Sequence, residues 1–145
     1  MSDLLYWSAD QGDAYVRALN ESPEFQKATR KFEGRVQFRC LDNPEGDDVV
    51  ATYTIHRGSV TFDRRAEAAP SSSIRNEAFD KKALFARTTA PYELWVKLDK
   101  GEISVVKAIT SPDYRVEGPK LKIMANIGLF NAMGSVGSKQ HKRYR

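Results

Sequence analysis

The stretch from Arg35 to Phe62, RVQFRCLDNPEGDDVVATYTIHRGSVTF, decides the fold because its apolar side chains recur at every second position. Such alternation is typical of strands that bury one face. Turn-forming residues at 42–48 and 57–58 divide the stretch into three strands, which predicts an antiparallel meander. The residues predicted to face the core are Val36, Phe38, Cys40, Val49, Ala51, Tyr53, Ile55, Val60 and Phe62. The alternate residues of the first strand, Arg35, Gln37 and Arg39, are predicted to form a polar face.

Two short helices are predicted before these strands. Asp10 or Asp13 can cap a first helix that runs to about Asn20. Ser22 can cap a second helix, because Pro23 follows it at the first helical position, where proline is tolerated. The chain therefore enters the meander from a helical segment.

The second half of the chain mixes strand and helix patterns. Leu94 and Leu98 are spaced for one face of a helix that opens at Pro91 and ends at Gly101. The remaining predicted elements, in chain order, are a fourth strand at about Ala83–Thr88, a short helix over Glu102–Ile109, a fifth strand over Tyr114–Gly118 and a closing helix from Pro119.

The closing stretch, KLKIMANIGLFNAMGSVG (Lys120–Gly137), is predicted as one helix with apolar residues on every side. From Ile123 to Ser138 there is no charge, but three glycines and two asparagines interrupt the run. Because a bilayer span needs roughly 20 strongly apolar residues, this stretch is not predicted to cross a membrane. Its outer side must then be covered by a ligand cavity or by a partner.

The chain has 145 residues and is predicted to form one domain over 1–138, followed by a basic tail over 139–145. The tail holds four basic residues and no acid, and without them the remaining 19 basic residues equal the 19 acidic ones. We therefore expect a solvated terminus, with contact to an anionic membrane surface as the alternative. No specific nucleic-acid partner is expected. The single cysteine and the polar beginning of the chain favour a cytoplasmic location.

No convergent catalytic group is evident in the sequence. The two histidines, His56 and His141, have neither a metal-ligand nor a triad spacing, and Cys40 is interpreted as a small core residue. We expect no enzymatic activity, no metal and no cofactor. A chain with a sheet, several apolar helices and no such site is better suited to hold an apolar molecule than to transform one.

The order of these signals resembles the sterol carrier protein 2 family of small lipid-binding domains over about Tyr15–Val136. The residues that carry the resemblance are Phe32, Gly34, Val36, Phe38, Tyr53, Ile55, Gly58, Leu94, Leu98, Gly101, Glu102, Ala108, Val116 and Gly118. The resemblance implies an α+β fold, with a five-stranded, largely antiparallel sheet covered by helices around an apolar cavity. It also implies a lipid-like ligand such as a sterol, a fatty acid or a fatty acyl-CoA.

On this basis the residues predicted to line the cavity are Phe85, Leu94, Leu98, Ile123, Ile127 and Phe130. The leading hypothesis is non-catalytic binding or transfer of a lipid-like molecule by a monomer or a homodimer. The alternative is a protein-interaction or homodimerisation module that uses the apolar closing helix, or an accessory domain to an enzyme. Each of the six residues could also be ordinary core.

Overall fold

The computed structural model describes residues 4–145, apart from the side chain of Val106. The α-helices are α1 (Ala9–Glu21), α2 (Pro23–Thr29), α3 (Tyr92–Asp99), α4 (Val105–Ala108), α5 (Lys120–Ala125) and α6 (Ile127–Lys139), and a 3₁₀-helix spans Ser73–Asn76. The strands are β1 (Glu33–Leu41), β2 (Asp47–His56), β3 (Ser59–Ala68), β4 (Ala86–Pro91) and β5 (Arg115–Glu117). No helix within residues 4–145 has both the length and the apolar character needed to cross a bilayer.

The five strands form one mixed sheet in the order β3-β2-β1-β4-β5. The predicted meander is confirmed, since β1 pairs with β2 and β2 with β3 in antiparallel register, and β4 also pairs antiparallel with β5. The neighbours β1 and β4 are parallel, with Val36 opposite Ala86 and Leu41 opposite Pro91. The predicted five-stranded, largely antiparallel α+β fold is therefore confirmed.

The helix ends show which capping predictions hold. The Ser22 hydroxyl accepts a hydrogen bond from Phe25 N at 3.1 Å, so the predicted cap of α2 is confirmed. The prediction of Asp10 or Asp13 as the first cap is wrong, because the Ser8 hydroxyl accepts from Gln11 N at 3.2 Å and the helix already begins at Ala9.

Strand β4 begins three residues later than predicted, at Ala86 instead of Ala83. Its residues from Ala86 to Ala90 are all buried. A strand covered on both faces has no alternation of apolar and polar residues, and this removes the signal that would have marked its start. The adjacent residues 78–84 form irregular structure and turns.

The predicted single closing helix is also wrong, since it breaks at Asn126 into α5 and α6. The Asn126 side chain donates from Nδ2 to the Lys122 carbonyl oxygen at 2.9 Å, and such local bonding competes with helix continuation. After the break, α6 buries Leu129, Ala132 and Met133, while α5 buries none of its residues.

The face of the sheet that carries Arg39 was predicted to be polar, and in the structure it holds buried charge. Arg39 is buried, and it donates from Nε to Thr89 Oγ1 at 2.7 Å and from Nη1 to the Ile74 carbonyl oxygen at 2.5 Å. Loss of solvent, followed by repulsion from Arg87, lowers the pKa of Arg39 to about 10, so the group stays charged at neutral pH. The segment 69–85, which includes Ile74, covers this face.

Asp48 is the buried carboxylate of the same face. It accepts hydrogen bonds from Asp42 N at 2.9 Å, Ser72 Oγ at 2.6 Å and Arg75 Nε at 2.6 Å. Burial alone would raise the pKa of Asp48, but the hydrogen bonds from Arg75, Ser72 and the backbone outweigh burial and hold it below its usual range. The carboxylate therefore ties the covering segment to the sheet.

We expect Asp48→Asn to lower the free energy of unfolding at neutral pH by about 2 kcal/mol, because the charge-assisted hydrogen bonds from Arg75 and Ser72 to the buried carboxylate are lost. A depressed folded-state pKa stabilises the protein above the ordinary carboxyl pKa of about 3.9 and ceases to do so as the pH falls through the folded value. Urea titrations should therefore show the difference between the two proteins shrinking in acid. The control, Asp63→Asn, alters an exposed residue of β3 and should change the free energy of unfolding by less than about 0.5 kcal/mol. A difference that is the same at neutral pH and at pH 3 would contradict this account.

Candidate ligand-binding cleft

A cleft of about 750 Å³ lies between the core-facing side of the sheet and the helices. The sheet contributes Phe38, Tyr53 and Thr88 to its lining. The helices and the segment before α4 contribute Gln11 and Tyr15 of α1, Trp95 and Leu98 of α3, Ile103, and Ile127, Phe130, Met133 and Gly134 of α6. The cleft is therefore formed by elements from both ends of the chain.

An aromatic cluster shapes the sheet side of the cleft. The Phe38 ring lies 5.5 Å from the Tyr53 ring and 5.6 Å from the Trp95 ring, measured between centroids. Trp95 is also fixed by its Nε1, which donates to the Arg39 carbonyl oxygen at 3.0 Å. Inclined rings at these distances attract one another, so the cluster holds this wall in place.

The tyrosines of the cleft remain neutral. Burial raises the pKa of Tyr15 well above its ordinary value, and burial likewise raises the pKa of Tyr53. The Tyr15 hydroxyl donates to the Met133 carbonyl oxygen at 2.7 Å, which uses its proton within the protein. These groups thus add an uncharged surface to the cleft and not an ionisable one.

Two features of Trp7, beside the cleft, are energetically unfavourable. Its φ is +70°, a conformation that bulky residues rarely adopt, and its backbone is held there by hydrogen bonds to Gln11 and Arg64. Its buried Nε1 has no hydrogen-bond partner among residues 4–145. Strain and unpaired donors of this kind concentrate at functional sites more often than in ordinary core.

The C-terminal residues are folded against the domain, and the expectation of a solvated tail is wrong. Lys142 Nζ lies 2.8 Å from Asp99 Oδ2, and the exposed fractions of the two side chains are only 2% and 7%. The Tyr144 hydroxyl also donates to Asp99, and Arg145 pairs with Glu45. Backbone bridging between Leu5 and Arg143 joins the two ends of the described chain.

This docking places charge at the margin of the cleft. Asp99, Lys100 and Tyr144 all line it, and the Lys100 Nζ lies 4.9 Å from the centre of the Tyr144 ring. Lys100 is exposed, whereas Lys142 is committed to Asp99. One edge of an otherwise largely apolar cleft therefore offers an available cation.

The structure separates the six predicted cavity residues. Leu98, Ile127 and Phe130 line the cleft. Phe85 lies elsewhere, 5.1 Å from the Phe32 ring, where it lines a separate shallow groove. Leu94 and Ile123 are half-buried outside the cleft lining, so the structure does not bring these three residues to the cleft.

Several residues that form the cleft were not predicted as site residues. Phe38 and Tyr53 were predicted only as core positions, and Met133 only as part of the apolar closing helix, because residues beside a cavity have the same apolar pattern as residues in a closed core. Tyr144 lies in the segment interpreted as a solvated tail. Nothing in the sequence distinguished Phe38, Tyr53 and Met133 from residues of a closed core. By contrast, Tyr144 is an aromatic residue within the basic segment, and this favoured packing of the tail on the domain.

The reactive residue types lie apart from one another. His56 is exposed beside Glu33 and His141 is exposed near the C-terminus. Cys40 is buried, as predicted, and burial raises the pKa of its thiol, which keeps it protonated and weakly nucleophilic. Residues 4–145 contain no group of three or more histidine, cysteine, aspartate or glutamate side chains placed to hold a metal ion.

No protein-family profile and no curated protein matches this chain. Solved structures do match. The crystal structure of sterol carrier protein 2 has a TM-score of 0.72 at 15% identity, over 94% of this chain and 99% of that chain. A conserved hypothetical protein from Thermus thermophilus has a TM-score of 0.70 at 15% identity, over 99% and 94%. The UbiJ-SCP2 ubiquinone synthesis protein has a TM-score of 0.53 at 14% identity, over 91% of each chain.

We expect Lys142→Met to lower the free energy of unfolding by about 3 kcal/mol, because Asp99 would stay buried without its cation. The matched control is Lys139→Met, an exposed lysine at the end of α6, which should change the value by less than about 0.5 kcal/mol. Urea denaturation measures both. Equal effects of the two substitutions would mean that the tail is not docked in solution.

Proposed function

We propose that this chain, which has the sterol carrier protein 2 fold, binds one lipid-like apolar molecule in its cleft without converting it. The single observation that carries the proposal is the cleft itself, lined mainly by aromatic and aliphatic side chains. Its volume of about 750 Å³ lies within the range of about 300–1,000 Å³ typical of small-molecule sites. The likeness to sterol carrier protein 2 supports the same function.

Transfer of an acyl chain from water into the cleft supplies the binding energy. Each buried methylene group contributes about 0.8 kcal/mol, so a sixteen-carbon chain gains on the order of 10 kcal/mol before ordering costs. Micromolar affinity corresponds to about 8 kcal/mol. The apolar lining therefore suffices for useful binding without a strong polar contact.

The polar end of the ligand is proposed to lie beside Lys100. That lysine lines the cleft and is exposed, while the neighbouring Asp99 carboxylate is occupied by Lys142. A carboxylate or another acidic head group fits this edge, and the acyl chain would extend towards Phe38 and Phe130. A fatty acid suits this arrangement better than an uncharged sterol.

A protein-interaction module remains the second candidate, and the observation that favours it is the exposure of α5. Leu121 of α5 is exposed and can be changed without disturbing the core, so a Leu121 variant probes this surface. Likeness to the UbiJ-SCP2 ubiquinone synthesis protein supports an accessory role beside an enzyme as a variant of this second function.

Two glycines of α6 provide a matched test of the cleft. Added side chains at Gly128 and Gly134 would meet no atom within 4 Å at the Cβ position, but only Gly134 lines the cleft. We expect Gly134→Leu to fill the cleft and weaken binding of a fluorescent fatty acid at least tenfold. Gly128→Leu should bind like the unaltered protein.

The measurement is a titration of delipidated protein. Absence of saturable binding to the unaltered chain at tens of micromolar would overturn the proposed function. Equal affinities for the two leucine variants would place the ligand outside this cleft.

A further inference from the structure

Helix α5 presents large apolar side chains to solvent. Leu121 is 87% exposed and Met124 is 64% exposed, and the two lie three residues apart on the helix. Lys120 and Lys122 flank Leu121 and are exposed as well. We call these four residues the α5 surface. Exposed apolar patches rimmed by polar residues mark protein or membrane interaction sites.

A basic groove adjoins the α5 surface. It has a volume of about 690 Å³ and is lined by the apolar residues Phe79, Leu84 and Phe85 and by Lys81, Lys82 and Lys122. The fold thus brings two lysines of a distant loop beside α5. This combination of apolar floor and lysine rim is independent of the exposure of Leu121 and Met124.

The nearby carboxylates are not paired with these lysines. Glu77 pairs with Arg65, and Glu117 pairs with Arg87 at 2.8 Å. Asp80 accepts hydrogen bonds from Lys82 N and Ala83 N. Within residues 4–145, none of the lysines at 81, 82, 120 and 122 takes part in an ion pair.

We propose that the α5 surface and the basic groove dock on an anionic lipid bilayer. Leu121 and Met124 enter the boundary between head groups and acyl chains, and the lysines contact the lipid phosphates. Short apolar insertions rimmed by lysine bind membranes through buried apolar area together with attraction to anionic lipids. Membrane contact, which the sequence analysis gave as the alternative for the basic tail, is thereby proposed for a different surface.

Charge favours a lipid surface over a second copy of this chain. In a two-fold dimer the same patch faces itself, so Lys120 and Lys122 would oppose the lysines of the other copy. The sequence from Gly118 to Arg145 contains no acidic residue that could pair with them. Anionic head groups satisfy both the lysines and the apolar side chains.

The docked orientation would bring the cleft near the bilayer. Ile127 begins α6 directly after α5, lines the cleft and is 40% exposed. A lipid-like ligand could then pass between bilayer and cleft along an apolar path. This last step rests on the proposed function, whereas the docking itself does not.

Flotation with vesicles tests the docking. The probes are vesicles of phosphatidylcholine alone and vesicles in which one-third of the lipid is phosphatidylglycerol. We expect the protein to bind the second kind, to bind the first kind weakly, and to be released from the second by salt. Leu121→Gln should weaken binding roughly tenfold or more, and its stability should be unchanged because the side chain is exposed.

A lysine outside the basic groove provides a matched control for Lys122. Lys122→Glu and Lys139→Glu change the net charge equally, but Lys139 lies at the C-terminal end of α6, a helix roughly 20 Å long whose first residue follows α5. We expect Lys122→Glu to weaken binding to anionic vesicles roughly thirtyfold. Lys139→Glu should weaken it less than threefold.

The outcomes that overturn the proposal are distinct from failure of ligand binding. Absence of binding to anionic vesicles, or equal binding by Leu121→Gln and the unaltered protein, overturns it. A dimer seen by light scattering that Leu121→Gln dissociates also overturns it, in favour of self-association. Ligand titration without vesicles is unaffected by these results, because Leu121 and Lys122 do not line the cleft.

Discussion

The parallel pairing of β1 with β4 is the constraint on which the other features of the structure depend. Because β3 lies at one edge of the sheet and β4 lies beyond β1, the chain between them has to cross the sheet. The segment 69–85 makes this crossing over one face, where Ile74 accepts from the buried Arg39. The helices are left to cover the other face, and the cleft lies there.

The crossing segment buries charges on one face of the sheet, and the cleft lies on the other face. Arg39 and Asp48 are held under the segment by hydrogen bonds to Ile74, Ser72 and Arg75, so a segment with one short 3₁₀-helix covers this face in place of an α-helix. On the opposite face, the rings of Phe38 and Trp95 and the α6 residue Phe130 line the cleft. The proposed ligand site therefore lies on the face where the helices meet the sheet without filling the space between them.

Local patterns predicted the elements whose signals are contained in neighbouring residues. The strand alternation of β1 to β3, the Ser22 cap and the end of α3 just before Gly101 are of this kind. The start of β4 was not predicted because burial on both faces removes alternation. The break at Asn126 depends on a side-chain hydrogen bond that competes with the helix. Docking of the tail depends on an ion pair between Asp99 and Lys142, which are distant in sequence.

The distinction between features set by neighbouring residues and features set by distant ones also applies to the residues of the cleft. Leu98, Ile127 and Phe130 line the cleft because they face the sheet from α3 and α6. Phe85 and Ile123 are as apolar as these residues, but they lie beside Gly118, next to the first residue of β4. Apolar periodicity identifies which side chains leave water, and only the tertiary structure decides which of them border a space.

Native mass spectrometry of delipidated protein reloaded with palmitic acid tests the central claim most directly. If one apolar chain occupies the cleft, the spectrum will show the monomer carrying one fatty acid, saturating at a single adduct per chain. A spectrum of unliganded protein at saturating fatty acid, or a ladder of adducts without saturation, would contradict the account.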